Sequence, residues 1–418
     1  MVVAMVKLNP RPAIARSRRR FLRNLTVSAA AASVLKIPLT ALAEEFVTMP
    51  FENGRRPLVK YPQKRPLIRL TSRPPQLETP FPVFNEGVIT PNDAFFVRYH
   101  LAPLPPEIDL DQFWLRIKGK VSAPSEYSVS DLKSKFEPVE VVAVNQCSGN
   151  GRGVSQPRVP GGQMGNGAMG NARWKGVRLK DVLEKVGPAA TARQVTFNGL
   201  DAPLLEKTPD FIKALDLEHA LDGEVMLAYE MNGEALPLLN GFPLRLVVPG
   251  YYGTYWVKHL NEITLLDDIF DGFWMSSAYR IPDNACACLP PGTAAKKTIP
   301  INRLNVRSFI TSVSDGAEVR LNQPGVVKGI AFDGGDGIRE VLFSEDGGQR
   351  WREAELGQNL GKYSFREWHI GFTPNRAGPF ELKVKATNRI GQSQPLEPLW
   401  NPAGYMRNVV ETVRVKAV

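Results

Sequence analysis

The chain has 418 residues, of which 43% are hydrophobic and 22% are charged, with 52 Lys and Arg against 42 Asp and Glu. These proportions are typical of a globular protein and exclude a disordered chain, a fibrous protein and a polytopic membrane protein. The length allows two or three domains, each with its own core. The 35 Gly and 35 Pro favour strands and loops over a helical bundle.

The formal charge of +10 arises mostly from the first 43 residues. Residues 1–43 contain eight basic residues and no acidic ones, and subtracting these eight charges leaves +2 for the remainder. A basic surface for nucleic acid therefore loses its main support. We predict no nucleic-acid partner.

The same segment has the order of an export signal. Arg18 and Arg19 lie in a basic run, an Ala-rich apolar stretch follows at 25–35, and Ala41-Leu42-Ala43 offers small residues around a cleavage site. The arginine pair resembles twin-arginine signals, although a basic arm or an uncleaved anchor is an alternative. We predict a twin-arginine signal peptide over 1–43 and export to the periplasm. The apolar stretch is shorter than a typical transmembrane helix, so we predict no membrane-spanning segment in the mature protein.

The elements that follow are predicted from composition and periodicity. Residues 44–75 are rich in Pro and Arg with weak periodicity, which predicts an extended N-terminal arm. Apolar residues alternate with polar ones over 113–117, as in a half-buried strand, and 141–144 resembles a short buried strand. Residues 179–186 have one apolar face, which predicts a helix that ends at Gly187.

The second half of the chain is predicted to consist largely of strands and turns. Strands are predicted at 225–230 and 244–248, with a hairpin turn at Asn232-Gly233. A Pro- and Gly-containing linker is predicted over 290–300. Beyond it, strict alternation over 380–387 is typical of an antiparallel β-sandwich.

The cysteines do not indicate a disulfide framework. There are three, Cys147, Cys286 and Cys288, and an odd number argues against full pairing. One residue separates Cys286 from Cys288, a spacing that strains a disulfide, so we expect these two to be structural thiols. No Cys-x-x-Cys-His motif attaches a haem, and the four histidines lack zinc spacing.

Cys147 is the thiol with the most informative surroundings. It follows the buried strand predicted at 141–144, and three of the next six residues are Gly. Glycines allow the backbone to approach a bulky ligand, and Arg152 places a cation nearby, which favours the thiolate that binds metals. An inert buried thiol and a catalytic nucleophile remain alternatives. Residue types alone do not select a metal.

The sequence around Cys147 resembles the molybdenum core of the sulfite oxidase family, and in particular its exported bacterial sulfite dehydrogenases. The resemblance extends from about residue 80 to the end of the chain. Its core motifs lie at 145–153, 167–177, 227–233, 240–245 and 257–258. Motifs at 332–338, 346–351 and 400–405 resemble the C-terminal dimerisation domain of that family.

The resemblance implies an α+β fold in two domains. A mixed α+β molybdopterin-binding domain would cover 76–290, and an immunoglobulin-like β-sandwich for dimerisation would cover 295–418. It also implies a molybdenum–molybdopterin cofactor without haem in this chain, with Cys147 as the single protein thiolate on the metal. The implied catalytic residues are Arg98, His100, Arg152 and Tyr279. The implied cofactor contacts are Asn92, Phe96, Val97, Arg98, Tyr99, His100, Asp201, Asn240, Arg245, Trp256, Val257 and Lys258.

Two positions depart from the family pattern. The family often has His where Asn240 stands, and its animal members have Trp where Met164 stands. The animal members also carry a haem domain, and we expect no counterpart in this chain.

The implied reaction is the oxidation of sulfite to sulfate by oxygen-atom transfer. Arg98, Arg152 and a protonated His100 would bind the oxyanion through charge-assisted hydrogen bonds, and Tyr279 would orient it. Electrons would pass to a c-type cytochrome. The sandwich would form a homodimer, or the chain would form a heterodimer with a cytochrome subunit.

Three alternatives remain. Sulfane dehydrogenase subunits of thiosulfate-oxidising complexes share the two-domain plan. Exported methionine sulfoxide reductases share the core but lack the sandwich. A non-catalytic secreted module is disfavoured by the glycine loop with Cys147 and Arg152.

Overall fold

The computed structural model describes residues 45–105 and 107–418, which form one compact unit. The predicted signal peptide over 1–43, with its arginine pair and cleavage site, lies outside the described residues. In the part of the chain that the structure describes, no helix is both long enough and apolar enough to cross a bilayer.

Strands dominate these residues, and the helices are short. In chain order the strands are β1 (Phe46–Thr48), β2 (Arg55–Val59), β3 (Leu67–Ser72), β4 (Pro75–Glu78), β5 (Val97–Arg98), β6 (Leu115–Gly119), β7 (Ser125–Tyr127), β8 (Pro138–Gln146), β9 (Met169–Arg178), β10 (Gln194–Gly199), β11 (Lys213–Asp216), β12 (Met226–Met231), β13 (Glu234–Ala235), β14 (Arg245–Val247), β15 (Leu260–Leu266), β16 (Arg280–Pro282), β17 (Thr298–Pro300), β18 (Arg307–Ile310), β19 (Ala317–Val319), β20 (Gly325–Phe332), β21 (Ile338–Ser344), β22 (Arg352–Glu353), β23 (Glu355–Leu356), β24 (Arg366–Phe372), β25 (Gly378–Asn388) and β26 (Thr412–Ala417). The α-helices are α1 (Val129–Lys135), α2 (Leu179–Val186), α3 (Leu217–Ala220) and α4 (Phe273–Ser276).

The first sheet is an antiparallel meander in the order β1-β2-β3-β4-β5. Residues 46–75 supply its first three strands and the start of β4, so the prediction of an extended arm over 44–75 is wrong for these residues. Leu67, Leu77 and Val97 form a small buried cluster on this sheet, and burial of these side chains stabilises the meander. The pairing of β4 with β5 fixes the position of Arg98.

Two further sheets form the centre of the molecule. One has the order β11-β10-β15-β6-β7, with β15 and β6 parallel, and the other has the order β13-β12-β9-β8, with β14 beside β12. The strands predicted at 113–117 and 141–144 correspond to β6 and to the buried end of β8. Those predicted at 225–230 and 244–248 correspond to β12 and β14. Asn232 and Gly233, between β12 and β13, have φ of 55° and 82°, as the predicted hairpin turn requires.

Helix α2 has the predicted bounds and the predicted buried face. Leu179, Val182, Leu183 and Val186 are all 0% exposed, because residues three and four apart share one side of a helix. Gly187 ends the helix with φ of 66°, a left-handed conformation that glycine adopts without steric cost.

The C-terminal residues form two sheets in the orders β18-β20-β24-β23 and β19-β26-β25-β21-β22. The alternation predicted over 380–387 is found in β25, whose apolar side chains pack in a core with Phe343 and Trp368. The predicted linker over 290–300 ends in β17, which pairs with β16. That connection is therefore partly a strand.

The C-terminal sheets also share the central core. The ring centroids of Phe81 and Phe309 lie 5.5 Å apart, and those of Phe84 and Phe365 lie 6.1 Å apart. The N–H of Val144 in β8 donates to the carbonyl of Tyr363, in the turn before β24, at 2.9 Å. The strand that leads to Cys147 is thus fixed from both halves of the chain.

Cys286 and Cys288 are joined by a disulfide, so the expectation of two structural thiols is wrong. Ala287 between them has φ of 49°. The Asn284 side chain accepts from the Cys288 N–H at 3.2 Å and donates to its carbonyl at 2.8 Å. This turn brings the two Cα atoms to 5.1 Å, a usual separation for a disulfide. Cys147 is free and buried.

We predict that Leu183→Ala lowers the free energy of unfolding by about 2–5 kcal/mol, since it removes a buried side chain and leaves a cavity in the core. Glu184→Ala, next to it on the exposed face of α2, is the matched control and should change stability by less than about 0.5 kcal/mol. Urea unfolding of both variants measures the difference. Equal losses would contradict the described orientation of α2.

Candidate active site

The ends of several strands meet at one pocket. Cys147 directly follows β8, Arg98 ends β5, Arg245 begins β14 and Tyr279 precedes β16. The residues predicted from sequence that line this pocket are Phe96, Arg98, His100, Cys147, Asn240, Arg245, Trp256, Lys258 and Tyr279.

Backbone hydrogen bonds hold the loop that carries Cys147. The Cys147 N–H donates to the Ala168 carbonyl at 2.9 Å, and the Cys147 carbonyl accepts from the Asn150 N–H at 3.0 Å. A Cβ on Gly149 would lie 2.8 Å from the guanidinium carbon of Arg152, so a larger residue there would have to displace the end of this side chain. The loop therefore presents the thiol to the pocket in one fixed position.

Arg152 lies beside the pocket and is held by the C-terminal residues. Its Nε donates to the Ala403 carbonyl at 2.8 Å, and its guanidinium carbon lies 4.9 Å from the ring centroid of Tyr405. The Tyr405 ring in turn stacks on Tyr279, with centroids 5.4 Å apart and planes at 6°. Sequence reasoning placed Tyr405 only in a motif of the dimerisation domain and did not connect it to the site.

His100 and Tyr279 form a hydrogen bond between the ring Nε2 and the phenol oxygen. Burial, together with Arg98, Lys258 and Lys213, lowers the pKa of His100 well below its usual value. His100 is therefore neutral near pH 7, and the expectation of a protonated His100 is wrong. Sequence reasoning did not include burial, which disfavours the charged form.

Tyr279 is held in an uncommon backbone conformation. Its φ is 58°, which a bulky residue rarely adopts and which is often found at functional sites. Its carbonyl accepts from the N–H of Ile301 at 2.8 Å, which fixes this conformation. Burial raises the pKa of Tyr279 above its usual value, so the phenol keeps its proton and remains a hydrogen-bond donor.

Two further cations, Arg245 and Lys258, line the same pocket. Lys258 Nζ donates to the Arg98 carbonyl at 2.7 Å, and Arg245 Nη1 donates to the Asn240 carbonyl at 2.9 Å. Burial and the charge of Arg245 lower the pKa of Lys258 to about 7, and burial lowers the pKa of Arg245 to about 10. Removal from water is the main cause of both shifts, because burial disfavours the charged form.

Four predicted residues lie directly behind the pocket lining. Val97, Tyr99 and Val257 are 2%, 1% and 1% exposed, and they support the lining residues next to them in the chain. Asp201 is 6% exposed. Burial raises the pKa of Asp201, and the charge of Lys258 acts in the opposite direction, so the carboxyl lies close enough to balance part of the positive charge.

Asn92 is placed elsewhere. Its Nδ2 donates to the Met231 carbonyl at 2.9 Å, and its Oδ1 accepts from Asn232 at 2.9 Å. These residues border a separate surface hollow. Because both ends of the amide are already paired there, the structure does not bring the Asn92 side chain to the pocket.

Several polar atoms of the pocket have no protein partner. They are buried side-chain atoms of Arg98, Asn145, Ser148, Arg245 and Thr254. An unpaired buried polar group costs about 1–3 kcal/mol, so the lining is suited to a ligand that pairs with these groups. Among the described lining residues there is no Asp or Glu, so this ligand should be anionic. A molybdopterin, with its pterin amides and its phosphate, fits such a set of donors.

The donor set also limits how a metal is held. Within 45–105 and 107–418, no group of three or more His, Cys, Asp or Glu is placed to hold a metal ion. A metal next to Cys147 therefore requires most of its ligands from a cofactor. This agrees with one protein thiolate beside a dithiolene.

Sequence reasoning missed two buried lysines. Lys64 is 3% exposed and donates to the carbonyls of Asn92 and Phe95 at 2.6 Å and 3.0 Å, and to the Asn240 side chain. Lys213 is 0% exposed, with Nζ 5.3 Å from the Tyr279 ring centroid. Burial lowers the pKa of each lysine to about 7. Neither lies in a recognisable motif, since their partners are distant in sequence.

Glu78 was also missed, and it holds the glycine-rich loop that packs against Cys147. It is 1% exposed, and it accepts from the backbone N–H groups of Gly165 at 2.9 Å and Gly167 at 3.4 Å. Burial raises the pKa of Glu78 to about 7. The first sheet, through β4, thus positions both this loop and Arg98.

Comparison with known proteins agrees with this geometry. Residues 101–274 match the family described as "Oxidoreductase molybdopterin binding domain", and residues 298–418 match "Mo-co oxidoreductase dimerisation domain". Mitochondrial sulfite oxidase of Rattus norvegicus is 33% identical over 392 residues, covering 90% of this chain and 70% of the relative. Sulfite oxidase of Arabidopsis thaliana is 32% identical over 391 residues, covering 86% and 96%.

A solved structure has the same fold. The sulfane dehydrogenase SoxCD from Paracoccus pantotrophus matches with a TM-score of 0.72 and 24% sequence identity, over 98% of this chain and 97% of that chain. At this identity the likeness concerns the fold. It extends across both the pocket and the C-terminal sheets.

We predict that Glu78 makes folding depend on pH. Because its pKa in the folded state, about 7, lies above its ordinary value of 4.5, the folded protein binds this proton more tightly. The resulting stabilisation is complete below about pH 4.5 and is lost as pH rises through about 7. The free energy of unfolding of the wild type relative to Glu78→Gln should therefore fall by about 3 kcal/mol over that interval.

Chemical denaturation at several pH values measures this difference. Glu353→Gln, at an exposed carboxyl of the C-terminal sheets, is the control and should show no comparable trend. A flat difference for Glu78→Gln would mean that Glu78 is not held as described.

Proposed function

Because this chain belongs to the sulfite oxidase family of molybdenum-dependent oxidoreductases, we propose that it oxidises sulfite to sulfate. One observation carries the proposal more than any other. The buried thiol of Cys147 faces a pocket that is lined by cations and, among its described residues, by no carboxylate. Such a pocket suits an anionic metal cofactor and a small oxyanion substrate.

The residues present fit the cofactor that the family uses. Cys147 would provide the protein ligand to molybdenum, and Arg245, Lys258 and Asn240 would bind the anionic and amide groups of the molybdopterin. Trp256 would pack against it. When bound, this cofactor supplies the oxygen-atom transfer and accepts the two electrons. We expect no haem in this chain.

Sulfite would be bound by two charged side chains and one neutral hydrogen-bond donor. Arg98 and Arg152 would bind sulfite through charge-assisted hydrogen bonds, for which guanidinium groups are well suited. Tyr279, whose phenol keeps its proton, would donate a hydrogen bond to a substrate oxygen. Neutral His100 would donate from Nε2 to the phenol oxygen and so leave the phenol proton for the substrate. Binding of the anion would offset the mutual repulsion of the buried cations.

The proposal also covers export, the electron acceptor, the domains and the oligomer. Residues 1–43 would direct twin-arginine export to the periplasm, and a c-type cytochrome would accept the electrons. The chain would divide into a core domain over 76–290 and an immunoglobulin-like sandwich over 295–418. The sandwich would pair two copies in a homodimer. A heterodimer with a cytochrome subunit is the alternative.

A sulfane dehydrogenase activity on carrier-bound sulfur is the second candidate. The full-length fold likeness to SoxCD motivates it. The same pocket would then accept a terminal sulfur group instead of free sulfite.

We predict that purified wild-type protein contains nearly one molybdenum per chain and reduces ferricyanide in the presence of sulfite. Cys147→Ser should reduce sulfite turnover by at least about a hundredfold, since it removes the thiolate ligand. Elemental analysis and the ferricyanide assay on the same samples measure both quantities.

The matched control is Ser134→Ala, which removes one hydroxyl from an exposed position of α1. Ser134 lies outside the pocket lining, so this variant should keep both molybdenum and turnover. Molybdenum without sulfite turnover in the wild type would move the substrate to sulfane sulfur or a sulfoxide. Wild-type protein without molybdenum would contradict the proposal as a whole.

We predict that Arg18→Lys combined with Arg19→Lys prevents export, because the pathway recognises the arginine pair and not only its charge. Cell fractionation of a bacterial host should then find the full-length chain in the cytoplasm, whereas the wild type should reach the periplasm with Glu44 as its first residue. Arg11→Lys with Arg16→Lys keeps the pair and serves as the control. Equal export of all three proteins would refute the twin-arginine assignment.

A further inference from the structure

We propose that Tyr405, which the C-terminal residues contribute, is a positioning residue of the oxyanion site. Its ring would hold the guanidinium of Arg152 and the phenol of Tyr279 in the places where they meet the substrate. This inference rests on the proposed function for the identity of the oxyanion. Tyr405 itself does not need to touch the reacting atoms.

The Tyr405 ring lies between Arg152 and Tyr279, the two groups proposed to meet the substrate. The Tyr405 and Tyr279 rings are nearly parallel, at 6°, with centroids 5.4 Å apart, an arrangement in which aromatic pairs attract. The guanidinium carbon of Arg152 lies 4.9 Å from the Tyr405 ring centroid. A planar cation at this distance from an aromatic face is attracted to it. Arg152 and Tyr279 are therefore held by the same ring.

Arg152 retains hydrogen-bonding capacity for a ligand. Its Nε donates to the Ala403 carbonyl at 2.8 Å, and its Nη1 makes a long contact of 3.4 Å to the Gly162 carbonyl. Within the described residues, Nη2 donates to no backbone carbonyl, and the Tyr405 hydroxyl lies close to the guanidinium. The ring of Tyr405 and the Ala403 carbonyl thus fix the plane of the guanidinium, while its outer edge stays available to an anion.

The segment that carries Tyr405 is itself tightly fixed. The Asn401 side chain accepts from the Tyr405 N–H at 3.0 Å and donates to the Tyr405 carbonyl at 2.8 Å. The next N–H, of Met406, donates to the carbonyl of Ser148 at 3.2 Å. Ser148 directly follows Cys147, so the segment is joined to the loop that carries the thiol.

A second attachment comes from the disulfide turn. Asn401 also donates to the Ala287 carbonyl at 3.3 Å, and the Leu289 N–H donates to the Trp400 carbonyl at 2.7 Å. The turn that Cys286 and Cys288 close therefore supports the base of the Tyr405 segment.

Gly404 shows that the segment is shaped around Arg152. Its φ is 59°, and a Cβ there would lie 2.9 Å from Cγ of Arg152 and 2.6 Å from Val159. Only glycine permits this approach without displacing Arg152. The residues before Tyr405 thus allow the backbone to contact the arginine, and the Tyr405 ring then covers its guanidinium.

Loss of the Tyr405 ring should weaken the binding of sulfite. Loss of the ring would free Arg152 to adopt other rotamers, so each binding event would have to order it again. Oxygen transfer depends on the cofactor and should proceed at a similar rate once sulfite is bound.

Three variants test the role of the ring. Tyr405→Leu removes the ring, Tyr405→Phe keeps it, and Trp351→Leu is the matched control. Trp351 has a cation, Lys385, 4.9 Å from its ring centroid, outside the pocket.

The experiment uses the molybdenum-loaded protein. Steady-state kinetics with sulfite, normalised to bound molybdenum, give kcat and KM. The rise in unfolding temperature that added sulfate produces gives an independent measure of anion binding. We expect Tyr405→Leu to raise KM about tenfold, the scale of a desolvated cation–ring contact, with kcat within about threefold and a smaller sulfate effect. Tyr405→Phe and Trp351→Leu should match the wild type in KM.

Three results would overturn the inference. One is an unchanged KM and an unchanged sulfate effect in Tyr405→Leu. Another is a loss of turnover per molybdenum without a change in KM or the sulfate effect, which indicates a structural role alone. The third is a KM in Tyr405→Phe as high as in Tyr405→Leu, which would assign the effect to the hydroxyl. If the wild type does not oxidise sulfite, the proposed function fails, and the sulfate measurement alone decides on Tyr405.

Discussion

The structure depends on a concentration of buried positive charge. Arg98, Arg245 and Lys258 line one pocket, while Lys64 and Lys213 lie buried close to it. Removing a cation from water is costly unless an anion compensates it, and Asp201 offers one carboxyl near Lys258. Burial lowers the pKa of each of these three lysines. An anionic cofactor and an oxyanion substrate would compensate this positive charge, so the fold is best understood as a scaffold for those two ligands.

Three parts of the chain build this scaffold together. The first sheet contributes Arg98 and, through Glu78, holds the glycine-rich loop. The central sheets deliver Cys147 at the end of a long strand. The C-terminal sheets contact the same loop. Arg307, which begins β18, donates from Nη1 to the Asn150 carbonyl at 3.3 Å. The C-terminal residues therefore support the loop that carries Cys147, in addition to any role in dimerisation.

Local sequence patterns predicted the features that are determined by residues close together in the chain. Helix α2 agrees to the residue because its periodicity and Gly187 are local signals. The Cys147 loop was found because its glycines are contiguous with the thiol. Lys64 was missed since its acceptors lie 28 to 176 residues away, and no local pattern encodes such a contact. The disulfide between Cys286 and Cys288 was missed because the left-handed conformation of Ala287 cannot be inferred from composition.

The central claim is that Cys147 is the one protein ligand to a molybdenum held in this cationic pocket. X-ray absorption at the molybdenum edge tests it most directly, because it counts the sulfur atoms around the metal. Wild-type protein should show the dithiolene sulfurs and one more, and Cys147→Ser should lose one sulfur while keeping the dithiolene pair. The same sulfur count in both proteins would contradict the account.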